Sequence, residues 1–338
     1  MARRKTAPGS TPATFIAPQL ATLVATPPSG EGWLHEIKFD GYRLLAVLQK
    51  PAVRLFTRAG NDWTDKFAAL GAAFAKLKVD NAVIDGEVVN ASAEGSASFH
   101  ALQEALSEGN LKRLRYYAFD LLHLNGVDLR QQPQTERKAA LEKVLKGAPT
   151  VLVYSQHFTE PGDRMLAHAC SLGLEGIVSK HAQAPYRSGR TGSWLKSKCL
   201  KEQEFVVGGF TEQPKHPGML GALLIGYYEG DVLTYAGKVG TGFSAREGSA
   251  LLMKLKTLER KTTSFAAVPT DARRGARFVE PRLVVHVNFG EWTPDGRLRH
   301  PSFQGLREDK PAREVVREQP KSLKAIAAPA NATRSDGT

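Results

Sequence analysis

The sequence predicts an α+β protein of two domains, both rich in strands, joined near residue 202. Three observations lead there. Residues 33–58 and 82–126 hold apolar runs broken by Asp-Gly and Asn-Gly pairs, the pattern of strands and tight turns. Only short stretches between them carry apolar residues at helical spacing. After Lys201 the texture changes to FVVGGF, GALLIGYYEG and LTYAGKVGTGF, short strands separated by glycine turns, which suits a small barrel or curved sheet. A chain of 338 residues is long enough for such a division.

In chain order, residues 1–14 read as a disordered tail, and residues 15–28 as an apolar, proline-bearing segment lying along a domain surface. Residues 33–39 form the first strand, and Asp40-Gly41 turns the chain into a second. Residues 52–58 are a further strand, followed by a turn at RAGNDW. Phe67, Leu70, Phe74 and Leu77 mark a helix over 65–77, and Phe99, Leu102 and Leu106 another over 96–106. Residues 82–89, 115–126 and 151–158 read as strands, and 136–145 as a helix. A short helix over 160–172 stops at Gly173. EGIVSK (175–180) and SWLKSKCL (193–200) follow, and the basic, glycine-rich stretch between them reads as a mobile loop. In the second domain, 203–320, residues 244–258 are helical and 279–293 return to strand. Residues 321–338 read as a tail or linker.

The formal net charge of +12 favours a polyanionic partner without identifying it. Cys170 and Cys199 lack the spacing of a metal site, and they point to a reducing compartment, hence a cytoplasmic, nucleoid-associated protein. No run of 18 apolar residues appears, so no membrane span is expected.

The chemistry gathers around HEIKFDGYRLLAVL, residues 35–48. Glu36 and Lys38 alternate onto one strand face, within reach of Asp40 and Arg43. A lysine beside an arginine in a half-buried sheet can have its pKa lowered and become a nucleophile. A surface hairpin with ordinary charges explains this stretch equally well on its own. Further motifs narrow the choice: KFDGYR (38–43), DGEVV (85–89), FDLL (119–122), EGIVSK (175–180), LKSK (195–198) and GLREDK (305–310).

In this order and spacing, the motifs resemble those of the ATP-dependent DNA ligases among the covalent nucleotidyltransferases. The nearest branch is the ligase domain of bacterial ligase D, the non-homologous end-joining type. IAPQLATL (16–23) and WTPDGRLRHPSFQGLREDKPA (292–312) fit that branch. The resemblance implies a nucleotidyltransferase (adenylation) domain with antiparallel sheets and flanking helices over 15–202, then an OB-fold β-barrel domain. It implies that Lys38 attacks the α-phosphate of ATP, with Glu36, Arg43 and Glu87 lining the pocket. Phe119 would stack on adenine, and Lys196 and Lys198 would clamp the α-phosphate. Arg58 would contact a phosphate of the nucleotide or nicked strand. Glu175 and Glu87 would hold Mg²⁺ or Mn²⁺, and Arg307 and Lys310, with Asp309 between them, would orient the pyrophosphate. The substrate would be double-stranded DNA with nicks or ends, and a Ku-type end-binding partner is implied by the resemblance alone. His286 departs from the branch, which commonly has an acid there. The polymerase and phosphoesterase domains that often accompany ligase D are missing, so the chain is either free-standing or one domain of a longer protein.

The residue types agree with that chemistry. Phosphoryl transfer needs charge stabilisation more than acid–base work. A lysine amine gives a labile phosphoramidate, a carboxylate suits Mg²⁺, and lysines two apart on a strand face one side. Taken singly, Lys196 and Lys198 also read as a solvated edge strand, Glu175 as a turn acid and Phe119 as plain core. Two other classes share features: a capping-type guanylyltransferase, which would use GTP, and a basic scaffold binding DNA through charge. RHPSFQGLREDKP argues against the first and the intact motif set against the second. An RNA ligase is a weaker third class, since a preference for the 2′-hydroxyl is not readable here.

Overall fold

In the computed structural model, which describes residues 13–91 and 98–327, the apolar runs of the first half assemble into two facing sheets. The first unit runs to Cys199 and takes up the chain again from Gln319; the second is Leu200–Glu318.

The first unit opens with β1 (Gln19–Leu23), β2 (Trp33–Ile37), β3 (Tyr42–Gln49), β4 (Ala52–Thr57), α1 (Ala68–Phe74), β5 (Asn81–Asn90) and α2 (Phe99–Glu108). It continues with β6 (Leu114–Leu124), β7 (Val127–Asp128), α3 (Gln134–Leu145), β8 (Leu152–Tyr154), β9 (His157–Phe158), α4 (Gly162–Ser171), β10 (Gly176–His181) and β11 (Gly189–Lys198). One sheet has the order β4-β3-β5-β6-β7, with β8 also on β6, and the other β1-β11-β10-β2-β9. The pairings are antiparallel except β1 with β11 and β6 with β8, so both sheets are mixed.

β3 shows why the layers form. It is apolar on both faces, as a strand covered on both sides must be. Leu44, Ala46 and Leu48 share one core with Leu70, Phe74, Phe99 and Leu102 from α1 and α2. Leu45 and Val47 share another with Val83, Leu122, Tyr186 and Trp194, which lies between the two sheets. Each such aliphatic side chain contributes about 1.5–3 kcal/mol by leaving water.

Several boundaries differ from the sequence reading, each for a local reason. The helix expected over 65–77 narrows to α1, with turns on either side. The helix expected from residue 96 begins at Phe99, because the Ser98 Oγ accepts from Ala101 N at 3.2 Å as its N-cap; residues 96 and 97 lie outside the described residues. The strand expected over 151–158 is two. β8 joins one sheet and β9 the other, and the chain crosses between them at Ser155. The stretch expected to be a mobile loop is tied down: Tyr186 is buried, Gly189 N donates to Pro18 O at 3.0 Å, and β11 starts there. The tail expected over 1–14 lies outside the described residues up to residue 12, and Ala13 is buried. Cys170 on α4 and Cys199, just past the end of β11, are joined as a disulfide, which runs against the reducing compartment expected from the sequence.

The second unit contains β12 (Glu202–Gln213), β13 (His216–Glu229), β14 (Val232–Val239), α5 (Ala245–Thr257), β15 (Glu259–Arg260), α6 (Thr270–Arg273), β16 (Ala276–Val279) and β17 (Val284–Asn288). β18 (Glu291–Trp292), β19 (Leu298–Arg299) and β20 (Ser302–Leu306) complete it. β12 runs along β13 on one edge, while its other edge serves β17 with residues 202–206 and β16 with 209–211. The strand can bend between those partners because Gly208 and Gly209 lie at the change; a Cβ on Gly208 would sit 2.4 Å from the Phe265 ring. The strand expected over 279–293 is broken into β16, β17 and β18, with a turn at Pro281. His286 lies buried on β17, 3.3 Å from Glu202 Oε2. Beyond residue 320 the chain is not all tail: Lys321 N donates to Leu23 O at 2.9 Å, and α7 (Leu323–Ala327) follows, back in the first unit. Residues 328–338 lie outside the described residues.

Candidate active site

Three neighbouring strands, β2, β10 and β11, end at one place. Ile177 pairs with Ile37 and Gly176 with Lys198, so the next residues along, Lys38 and Glu175, arrive beside each other. Backbone bonds close the junction: Lys38 N donates to Gly176 O and Cys199 N to Glu175 O, both at 2.9 Å. Gly176 permits this approach. Its φ is +148°, and a Cβ there would sit 2.1 Å from Ser197 O. One Glu175 carboxylate oxygen then meets the Lys38 ammonium and the other lies 3.3 Å from Lys198 Nζ. Lys38 is therefore one residue past the end of β2, with Glu175 as its salt-bridge partner.

Arg43, expected beside Lys38, is turned elsewhere. It donates to both Asp85 oxygens, at 2.9 and 2.6 Å, and to Gln19 O at 2.7 Å. Tyr186 also donates to Asp85, at 2.7 Å. Burial disfavours the Arg43 charge, but Asp85 outweighs it and holds the guanidinium above its ordinary pKa. Asp40, the other expected neighbour, accepts from Phe99 N at 2.9 Å and so braces α2.

Arg43, Glu87 and Tyr117 form one row across β3, β5 and β6. Tyr117 stacks on Phe39 with ring centroids 4.0 Å apart, which ties the residue after Lys38 to the opposite sheet. Phe119, half-buried on β6, meets Trp194 edge-on at 6.0 Å. Lys180 Nζ lies 4.4 Å from the Phe119 ring and 4.3 Å from that of Trp194, and donates to Phe119 O at 3.2 Å.

Glu36 is buried on β2 between two lysines: Lys180 Nζ at 2.9 Å and Lys138 Nζ at 3.0 Å from its Oε1. Burial pushes the Glu36 carboxyl up, but the two ammonium groups together hold it below the ordinary value. Burial pulls Lys180 down to about 8, against Glu36, which favours its charge. Glu36, Val178 and Lys196 are lateral partners across β2, β10 and β11. Arg58 follows the end of β4, half-buried. Arg307 and Lys310 belong to the second unit, Arg307 paired there with Asp309 at 2.9 Å and Lys310 with Glu204 at 3.0 Å.

The first unit thus brings Lys38, Glu175 and Lys198 together at strand ends, with Glu36 and Lys196 on one adjoining sheet and Arg43, Glu87 and Phe119 on the other. Sequence reasoning missed Lys138, Lys180, Asp85 and Tyr186. A signal for Asp85 existed: an aspartate inside the apolar run AVIDGEVV needs a buried partner.

The family model described as the ATP dependent DNA ligase domain matches residues 18–198, and that of the ATP dependent DNA ligase C terminal region matches 216–310. The chain is 42% identical over 325 residues to the multifunctional non-homologous end joining protein LigD of Pseudomonas aeruginosa, covering 94% of this chain and 39% of that one. It is 40% identical over 312 residues to the multifunctional non-homologous end joining DNA repair protein LigD of Mycobacterium tuberculosis H37Rv, covering 90% and 40%. It spans about two fifths of the length of these relatives. A solved structure of mycobacterial DNA ligase D complexed with ATP and MES superposes with a TM-score of 0.66 at 36% identity, covering 89% of this chain and 98% of that chain.

Proposed function

The chain belongs to the ATP-dependent DNA ligase family, and on that premise we propose that it seals DNA strand breaks through a lysyl-AMP formed on Lys38. The observation that carries this reading is the meeting of Lys38, Glu175 and Lys198 at the ends of three hydrogen-bonded strands.

In the first step the Lys38 Nζ lone pair forms a bond to the α-phosphorus of ATP, the bond to the β-phosphate oxygen breaks, pyrophosphate leaves, and the amine loses a proton. The Lys38–Glu175 pair must open for this, which frees the nucleophile and the carboxylate together. Lys198 and Lys196 then face the oxygens where charge collects. In the second step a DNA 5′-phosphate oxygen displaces Lys38 from AMP. In the third a 3′-hydroxyl attacks that 5′-phosphorus, and AMP leaves. Phe119 offers a ring to the purine, and Glu36, Arg43, Glu87 and Arg58 are the further candidates for nucleotide contact. Arg307 and Lys310, from the second unit, would orient the pyrophosphate by domain closure.

A divalent cation, Mg²⁺ or Mn²⁺, fits the donor set. Among the described residues no cluster of three or more His, Cys, Asp or Glu forms an all-protein metal cage. Mg²⁺ is commonly held by one or two carboxylates, with nucleotide phosphates and water completing its shell. Glu175 would supply such a ligand, and its two lysine partners already mark it as a cation-binding carboxylate. Glu87, on the other sheet, is the second candidate. Bound there, the ion would neutralise phosphate charge.

The relatives named for non-homologous end joining support double-strand break repair as the setting; a Ku-type partner is carried by the family resemblance alone. No helix among the described residues is long and apolar enough to cross a membrane. A cytoplasmic, nucleoid-associated placement rests on the DNA substrate this reading assigns, since the Cys170–Cys199 disulfide removes the argument from free thiols. Incubation with ATP and Mg²⁺ should add the mass of one AMP, and GTP should not substitute. Lys38→Ala should abolish the adduct yet retain some sealing of pre-adenylated nicked DNA. Labelling of Lys38→Ala at the wild-type level would refute the reading.

A further inference from the structure

α3 buries charge where an amphipathic helix buries carbon. Leu141 and Leu145 form its apolar stripe, but the preceding turns of the same face carry Gln134, Arg137 and Lys138, each no more than 1% exposed. Arg137 grips Asp120, the neighbour of Phe119, at 2.8 and 3.0 Å, and Gln134 Oε1 accepts from Trp194 Nε1 at 3.2 Å. Lys138 donates to Glu36 Oε1 at 3.0 Å and to Ser155 O at 2.8 Å, while Ser155 Oγ donates to Glu36 Oε2 at 2.8 Å. Buried ion pairs are poor sources of stability, because desolvation offsets their attraction. What they do well is fix one orientation of a charged group. Here the group fixed is Glu36 on β2, two residues before Lys38, which follows the end of that strand.

We propose that Lys138 is a positioning residue for the nucleotide base: it holds Glu36 anionic and in one orientation, and so sets ATP affinity and the choice of adenine over guanine without touching the nucleotide. The proposal rests on the reading that Lys38 takes AMP from ATP with Glu36 in the pocket. The chemistry follows from hydrogen-bond roles. A carboxylate accepts from the exocyclic amine of adenine, whereas guanine offers a carbonyl oxygen at that position, which a carboxylate repels. Burial alone pushes Glu36 towards its neutral form, and Lys138 is one of the two cations that oppose this.

The test compares Lys138→Met, Lys138→Arg, Glu36→Gln and Glu36→Gln/Lys138→Met in the full chain. KM and maximal rate of self-adenylation are measured with ATP and with GTP, alongside thermal midpoints and sealing of pre-adenylated nicked DNA, which needs no free nucleotide. Lys138→Met should raise the KM for ATP about tenfold, as loss of a charge-assisted bond implies. Its maximal rate should change less than about twofold, and the preference for ATP over GTP should narrow. Lys138→Arg should recover most of the loss. In the double variant Lys138→Met should add nothing to Glu36→Gln, since both act on one contact. An unchanged KM in folded Lys138→Met overturns the proposal. So does a parallel fall in adenylation, sealing and thermal midpoint, which marks structural support only. If Lys138→Met does not fold, Lys138→Gln takes its place and is held to the same outcomes, and an unchanged KM and base preference in Glu36→Gln also overturns the proposal. Wild-type protein that never gains AMP refutes the functional reading instead.

Discussion

Adding one methyl group at Gly176 should disable the site while leaving every charged residue in place. The Cβ of Gly176→Ala would sit 2.1 Å from Ser197 O and 2.9 Å from Lys198 Cα, both backbone atoms that cannot swing aside. The backbone φ of +148° adds strain of about 1–3 kcal/mol for a residue with a side chain. Overpacking adds about 1–3 kcal/mol more, giving a loss of roughly 2–6 kcal/mol unless β10 and β11 separate. Relief needs a shift approaching 1 Å, since real Cβ contacts essentially never fall below 3.0 Å. That shift would pull Glu175 away from Lys38 and Lys198, because the bonds of Lys38 N to Gly176 O and Cys199 N to Glu175 O join the same strand ends. A displacement of that size lowers a rate by about a hundredfold. The assay is single-turnover formation of the Lys38–AMP adduct, read by mass, with a urea titration beside it. Gly173→Ala is the control: its φ is also positive, at +69°, but nothing lies within 4 Å of its Cβ, so adenylation should hold. Gly176→Ala protein that adenylates within about twofold of wild type, at an unchanged urea midpoint, would show that strand approach does not set the site.

Asp85→Ala should destabilise the first unit by about 3–5 kcal/mol, because it strands the largely buried Arg43 without its counter-ion; equilibrium urea unfolding measures it, and Arg43→Met in the same background should recover part. Glu36 is held below its ordinary pKa, so the stability it contributes is present above about pH 4.5 and is lost as pH falls through its folded value. Glu36→Gln should therefore flatten the acid side of a thermal-midpoint profile, and an unchanged profile counts against the pairing. Lys38→Ala protein should bind nicked duplexes of two unrelated sequences alike, with log K falling against log salt at a slope near −5 if about six phosphates are neutralised. The basic stretch GRLRH (296–300) is one candidate for this docking; its Arg297 and Arg299 are paired with Asp295 and Glu291 at 3.1 and 2.5 Å, and those pairs would have to open. A flat salt response would exclude charge-driven docking.

What the sequence showed and hid divides along one physical line. Strands such as β3 and β5 were legible because their apolar runs, bounded by turn residues, are local, and the candidate site residues because their motifs keep a spacing. Partner choice was not legible, since it depends on which strand ends converge. Nothing near Arg43 pointed to Asp85 across a sheet, 42 residues on, and nothing near Cys170 pointed to Cys199. The crossing at Ser155 has no periodic signature either, because β8 and β9 together read as one run. Yet each buried carboxylate did announce itself. Asp85 and Asp120 stand inside apolar runs, and Glu36 stands between His35 and Ile37 on a strand; a carboxylate buried there needs an opposite charge. The polar residues that continue the Leu141–Leu145 stripe of α3 towards its N-terminus, Lys138, Arg137 and Gln134, are the complement for two of them. Reading buried acids in strands against misplaced bases on helix faces would have paired Arg137 with Asp120 and Lys138 with Glu36. Those pairs hold Phe119 and Lys38 on facing sheets, so here the charges that violate the hydrophobic pattern are the ones that locate the site.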